Sequence, residues 1–141
     1  MKEKFAIAHM RAAYVYADLS YCERRKVGCV IVKDDSIIAI GYNGTPSGEE
    51  NVCEDCNGDT KPETIHAEDN ALRKLTKRPE SADGGVMFVT TAPCKGCASR
   101  VVDAGIKKVY YVELYRNANG VDYLKKHHVE TEQLPEHFFK Q

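Results

Sequence analysis

No run of about 18 consecutive apolar residues occurs in the 141-residue chain, so a membrane-spanning helix is not expected. An apolar signal-peptide core is missing as well. Lys2 and Lys4 open the chain, but His9 and Arg11 interrupt residues 1–14, and the expected location is the cytoplasm. An excess of one charge is also lacking: 20 Lys and Arg stand against 21 Asp and Glu, for a net charge of −1. Proteins that grip polymeric nucleic acid usually carry a basic face, whereas a mononucleotide needs only one or two local cations. There are no linkers and no internal repeats, so residues 1–141 are expected to form one domain. Hydrophobic residues make up 43% and charged residues 29%, enough apolar content to bury a core.

What is present is an alternation of helical and strand patterns. Phe5, Ala8, Ala12, Tyr16 and Leu19 recur at helical spacing and predict a first helix ending near Ser20. Residues 27–33 and 37–42 are rich in β-branched types, and Asp34-Asp35-Ser36 between them predicts a hairpin. Residues 41–58 are polar and turn-rich, a length that inside a compact domain points to a functional or metal-tied loop. Helices are expected over 65–75, from Pro93 to near Gly105, and over 121–127, with strands at 86–90, 107–113 and 129–132. That order predicts an α/β fold with a mixed five-stranded sheet and helices on both faces. Helix-joined strands should run parallel, so the two central helices start at one end of the sheet.

Those two helix starts carry the chemistry. His66-Ala67-Glu68 precedes Pro93-Cys94-Lys95-Gly96-Cys97. His66, Cys94 and Cys97 make a three-ligand zinc set that leaves a fourth tetrahedral position for water. Cys94 and Cys97, at i and i+3, share one face of a helix N-terminus, where the dipole favours thiolate. Glu68 is not needed as a ligand and is free to move protons. Cys53-Glu54-Asp55-Cys56 supplies a second C-x-x-C pair, and two such pairs can also close an inert structural zinc knuckle. The spacing of 38 positions from Cys56 to Cys94 exceeds the roughly 15–20 residues of a zinc ribbon, which favours the catalytic set. The six cysteines are read as metal ligands and buried thiols rather than disulfides, given a reducing compartment.

The H-x-E and P-C-x-x-C pattern is the signature of zinc-dependent nucleobase deaminases. The chain resembles the cytidine deaminase superfamily, most closely the deoxycytidylate deaminases. Beyond the zinc motifs this rests on residues 22–28 (CERRKVG), 41–48 (GYNGTPSG), 65–71 (IHAEDNA) and 104–109 (AGIKKV), and on Tyr115. The resemblance implies a cytidine deaminase-like three-layer fold and hydrolytic conversion of dCMP to dUMP and ammonia. In that reaction Glu68 carries protons from the attacking water to ring N3 and to the departing amine.

The resemblance also implies that Asn43 contacts sugar or base, against a plain turn-forming role before Gly44. It places Tyr115 over the nucleotide, against a core ring, and Arg24 at the phosphate, with Arg25, Lys26 and Arg116 as neighbours able to serve instead. Asn70 is expected to hydrogen-bond backbone near the site. Asp69 stands where similar proteins carry an apolar or small residue, which touches packing or a subunit contact rather than the metal. A second, structural zinc is a further expectation, with Cys22, Cys53 and Cys56 as ligands and no clear fourth among Thr64, Glu63 and Asp55; the alternative is a metal-free thiol cluster. Cys29 reads as a small buried hydrophobe. His9, His127, His128 and His137 read as surface or helix-face residues, and Phe138-Phe139 as a tail packed on a neighbouring subunit or loosely docked.

The same resemblance implies a homohexamer activated by dCTP and inhibited by dTTP, with Mg²⁺ accompanying the effector near residues 41–48. Other readings remain open: a tRNA adenosine deaminase, which would share the zinc set but show a basic face; a free cytidine deaminase, which more often has cysteine in the place of His66; and a noncatalytic, zinc-stabilised nucleotide sensor.

Overall fold

The computed structural model describes residues 1–140. Its elements are α1 (Glu3–Ala17), β1 (Gly28–Lys33), β2 (Ser36–Tyr42), α2 (Ala67–Leu75), β3 (Val86–Thr91), α3 (Lys95–Asp103), β4 (Lys108–Glu113), α4 (Asn119–Lys126), β5 (Glu130–Gln133) and a short 3₁₀ turn, Glu136–Phe138. Every helix and strand read from the sequence forms, with ends displaced by at most two residues except that α1 stops at Ala17, three short of Ser20. The turn of the hairpin holds Asp34 and Asp35 at φ 51° and 62°, the paired left-handed conformation that matches strand twist in a two-residue loop.

The five strands order β2-β1-β3-β4-β5. β1 pairs antiparallel with both β2 and β3, whereas β3/β4 and β4/β5 are parallel. β2 and β3 therefore run the same way with β1 between them, so α2 and α3 start at the same end of the sheet, as expected.

Side chains alternate across the sheet and feed two cores. On one face α1 buries Ala6, Met10 and Ala13 against Val30, Val32, Phe88 and Tyr110, with the Phe88 and Tyr110 rings stacked 4.7 Å apart. On the other face α2, α3 and α4 cover Cys29, Ile31, Met87, Val89 and Val109. Cys29 is fully buried, its thiol pushed well above the ordinary range by burial and then by the nearby Glu68 charge; it fills space as a neutral group. Helix α2 lies so close to β2 that a Cβ on Gly41 would meet the Ala67 carbonyl and the Ala71 amide.

His9 packs against Phe88, its ring tilted by 43° with the centroids 5.2 Å apart. The C-terminal aromatics divide: Phe139 stacks on Tyr14 at 5.4 Å, and Lys140 bonds Glu113 at 2.8 Å. The tail thus docks on its own chain. Among the described residues no helix is long and apolar enough to cross a membrane.

Candidate metal centre and nucleotide cavity

His66 is the N-cap of α2 in extended conformation, its carbonyl accepting the Asn70 amide at 2.9 Å. Its position is set from both sides. Gly44 and Ile65 exchange backbone hydrogen bonds of 3.1 and 2.7 Å, pinching the base of the long loop. Asn70 Nδ2 donates to the Tyr42 carbonyl at 2.8 Å, tying α2 to the end of β2, which is the backbone role read for it. Glu68 and Asp69 occupy the first turn and Arg73 and Lys74 the last, complementing the helix dipole.

Cys94 is the N-cap of α3 and Cys97 lies one turn in, so helix α3 begins two residues after Pro93. Gly120, in the first turn of α4, sits directly on the Pro93 carbonyl, where no side chain could fit. Asp69 bridges the two helices, 3.1 Å from Arg73 Nε and 3.7 Å from Arg100 Nε. Asp69 thus ties α2 to α3.

The three donors meet. His66 Nδ1 is 3.2 Å from Cys97 Sγ and 3.7 Å from Cys94 Sγ, and all three lie within 4.8 Å of one another. A tetrahedral zinc with Zn–S of about 2.3 Å and Zn–N of about 2.0 Å sets nitrogen and sulfur roughly 3.6 Å apart, so the donor set fits that ion. Hydrogen bonds from Cys97 and His66 hold the Cys94 thiol down to about 3. Cys97, donating to Cys94 and buried, is pushed far up. A divalent cation at this position favours the thiolate form of both sulfurs. His66 is raised, chiefly by its bond to Cys94, against the opposing effect of burial.

Beside them Glu68 is 4% exposed. Burial lifts its carboxyl to about 7, with its own backbone N–H and then His66 acting in the opposite direction. Proton exchange near neutrality needs such a group.

His66 and Cys94 open into a cavity of about 210 Å³ whose wall includes Asn43, Glu68, Thr91, Tyr115 and the basic residues Arg24, Arg25 and Arg116. Lys26 is not part of that wall. Arg24 is half-exposed and only 3.8 Å from the exposed Asp59, a pair of little strength, so its guanidinium is available. The Arg116 guanidinium lies over the Tyr115 ring at 5.9 Å. Asn43 neither merely turns the chain nor is wholly free. Its Oδ1 accepts the Val27 amide at 2.9 Å and its Nδ2 donates to the Arg25 carbonyl at 2.8 Å, which leaves one N–H and one lone pair.

The cysteine expectations need correction. Cys22 and Cys53 form a disulfide, Cα–Cα 5.1 Å, a separation in the ordinary range for such bonds. Glu54 draws the two segments together, its carboxylate accepting the Glu23 and Arg24 amides at 3.1 and 3.3 Å. Cys56 does not join this group; it is exposed, carried outward by a turn in which Asp55 Oδ1 accepts the Asn57 and Asp59 amides. Glu54 stands in its place, clustered with Cys22 and Cys53. Glu63 and Asp55 are exposed, and Thr64 bonds the Cys53 carbonyl instead. The sequence reading passed over Glu54 and Thr91. Thr91 was legible from strand alternation, sharing the face of Val89 at the end of β3; nothing local marked Glu54.

A family model for the cytidine and deoxycytidylate deaminase zinc-binding region matches residues 3–113. The deoxycytidylate deaminase of Saccharomyces cerevisiae is 38% identical over 116 residues, which are 76% of this chain and 37% of the yeast protein; this chain thus spans little more than a third of that relative's length. The deoxycytidylate deaminase of Enterobacteria phage T4 is 31% identical over 155 aligned positions, covering 80% of each chain. Among solved structures, the dCMP deaminase of cyanophage S-TIM5 in complex with dCMP and dUMP superposes with a TM-score of 0.93 at 45% identity, over 95% of this chain and 99% of that one.

Proposed function

Since the chain belongs to the cytidine and deoxycytidylate deaminase family, we propose that its residues 1–141 form one zinc-dependent deaminase domain converting dCMP and water to dUMP and ammonia, as a cytoplasmic enzyme of pyrimidine deoxynucleotide metabolism. The observation that carries this reading is the buried Glu68 beside the His66, Cys94 and Cys97 donors, in a cavity rimmed by Arg24, Arg25 and Arg116. The relatives named for this activity lend the substrate.

His66, Cys94 and Cys97 hold the zinc, which when bound acts as a Lewis acid and brings the pKa of water down to about 7. Glu68 takes the proton of the water that adds to C4 and delivers it to N3. It then takes the second proton, from the new C4 hydroxyl, and passes it to the amine; the C4–N bond breaks, ammonia leaves and C4 becomes a carbonyl, one carboxylate serving as base and acid in turn. The remaining N–H of Asn43 bonds the sugar or base, Tyr115 covers the nucleotide, and Arg24, supported by Arg25 and Arg116, takes the phosphate by its bidentate fork. The carboxylate of Glu54 keeps the Arg24 backbone in place.

Ammonia release from dCMP, CMP, dCTP, deoxycytidine and an adenosine-containing tRNA anticodon stem tests this. Turnover of dCMP is expected, lost about 10²–10⁴-fold in Glu68→Gln with zinc retained. Zinc-loaded protein that turns over none of them leaves the sensor reading. The family resemblance extends the proposal to a homohexamer under dCTP and dTTP control with Mg²⁺. A sigmoidal dCMP curve made hyperbolic by dCTP supports that control; a hyperbolic curve indifferent to both nucleotides removes it.

A further inference from the structure

The last two residues of β3 carry hydroxyls to opposite faces of the sheet, and only one is used. Thr90 is fully buried and its Oγ1 accepts the Gly28 amide at 3.2 Å. Thr91 is 4% exposed, and its Oγ1 is the buried side-chain polar atom without a hydrogen-bond partner among the described residues. It lies in the wall of the cavity with Glu68, His66, Cys94, Val27 and Asn43.

A buried hydroxyl with nothing to bond is unfavourable, and valine would fill the same volume without that cost. The hydroxyl is accounted for if the cavity's occupant supplies the missing partner. Cytosine presents an amine at C4 and acceptors at N3 and O2, whereas uracil presents a carbonyl at C4 and an N–H at N3. A hydroxyl can donate or accept by rotating about its C–O bond, so it can bond the ring both before and after the exchange. Neighbouring Val27 offers the ring only apolar surface.

We propose that Thr91 is a substrate-binding residue of this site, its hydroxyl hydrogen-bonding the pyrimidine ring in the cavity. This rests on the deaminase reading above.

The test compares zinc-loaded wild type with Thr91→Val, which keeps the shape and removes the hydroxyl, and Thr91→Ser, which keeps the hydroxyl. The readouts are KM and kcat for dCMP, the dissociation constant of dUMP by calorimetry, zinc stoichiometry and melting temperature. Thr91→Val is expected to weaken dUMP binding and raise the KM for dCMP by about tenfold or more. Its zinc content should be unchanged and its melting temperature no lower, while Thr91→Ser stays within about threefold of wild type. Binding of dUMP by Thr91→Val within about twofold of wild type overturns the inference, as does a Thr91→Ser variant impaired as badly as Thr91→Val. Should Thr91→Val fail to fold, Thr91→Ser against Thr91→Ala carries the same comparison. A wild-type protein that neither deaminates dCMP nor binds dUMP removes the deaminase reading and this inference with it; unaltered variants of an active enzyme remove this inference alone.

Discussion

His9 shows how a single side chain couples burial to pH. Packed on Phe88, its imidazole is held below its ordinary value by burial, with Asp35 opposing. The folded state therefore binds fewer protons at His9 than the unfolded chain does. Its contribution to stability is present above the unfolded value of about 6.5 and is lost as the pH falls from there through the lower folded value. His9→Gln should flatten the decline in denaturant midpoint between about pH 7 and pH 5, relative to wild type. An identical decline would show that His9 titrates alike in both states. Asn70, Cys29 and the three zinc donors were legible one residue at a time because each has a local reason, a position in a turn or on a helix start. Glu54 was not, since its role depends on a segment distant in sequence, and alternation gave Thr91 its face of β3 but not its want of a hydrogen-bond partner.

At the level of elements, the starts of α2 and α3 matter more than their lengths, and each is fixed by contact with another element. Gly120→Ala should force α4 away from Pro93, because the atom in the way is a backbone oxygen with no rotamer to move. A cost of about 1–3 kcal/mol is expected, together with weaker zinc retention in a chelator competition, since Cys94 is the next residue. Equal loss of stability with unaltered zinc affinity would separate the helix packing from the metal centre. Periodicity and turn chemistry sufficed to read the nine main elements, as the Asp34-Asp35 turn illustrates. Two features escaped them: the insertion of β3 between β1 and β4, and the joining of Cys22 to Cys53. Both are pairings between residues distant in sequence, which no local pattern encodes.

For the whole molecule, the metal is expected to stabilise the fold by mass action, because its donors come together only in the folded chain. One zinc per chain is expected in the disulfide-linked protein, and its removal by chelator should lower the melting temperature. A second equivalent taken up only after reduction would assign Cys22, Cys53 and Glu54 to metal.

The insertion of β3 into the middle of the sheet also makes the metal centre depend on a long-range pairing. His66 precedes that strand and Cys94 and Cys97 follow it, so the hairpin and α2 can exist while the centre still lacks both sulfurs. The sulfurs arrive beside the imidazole only when β3 has docked along β1. Zinc affinity therefore reports on the central pairing of the sheet and not on the hairpin and α2 alone.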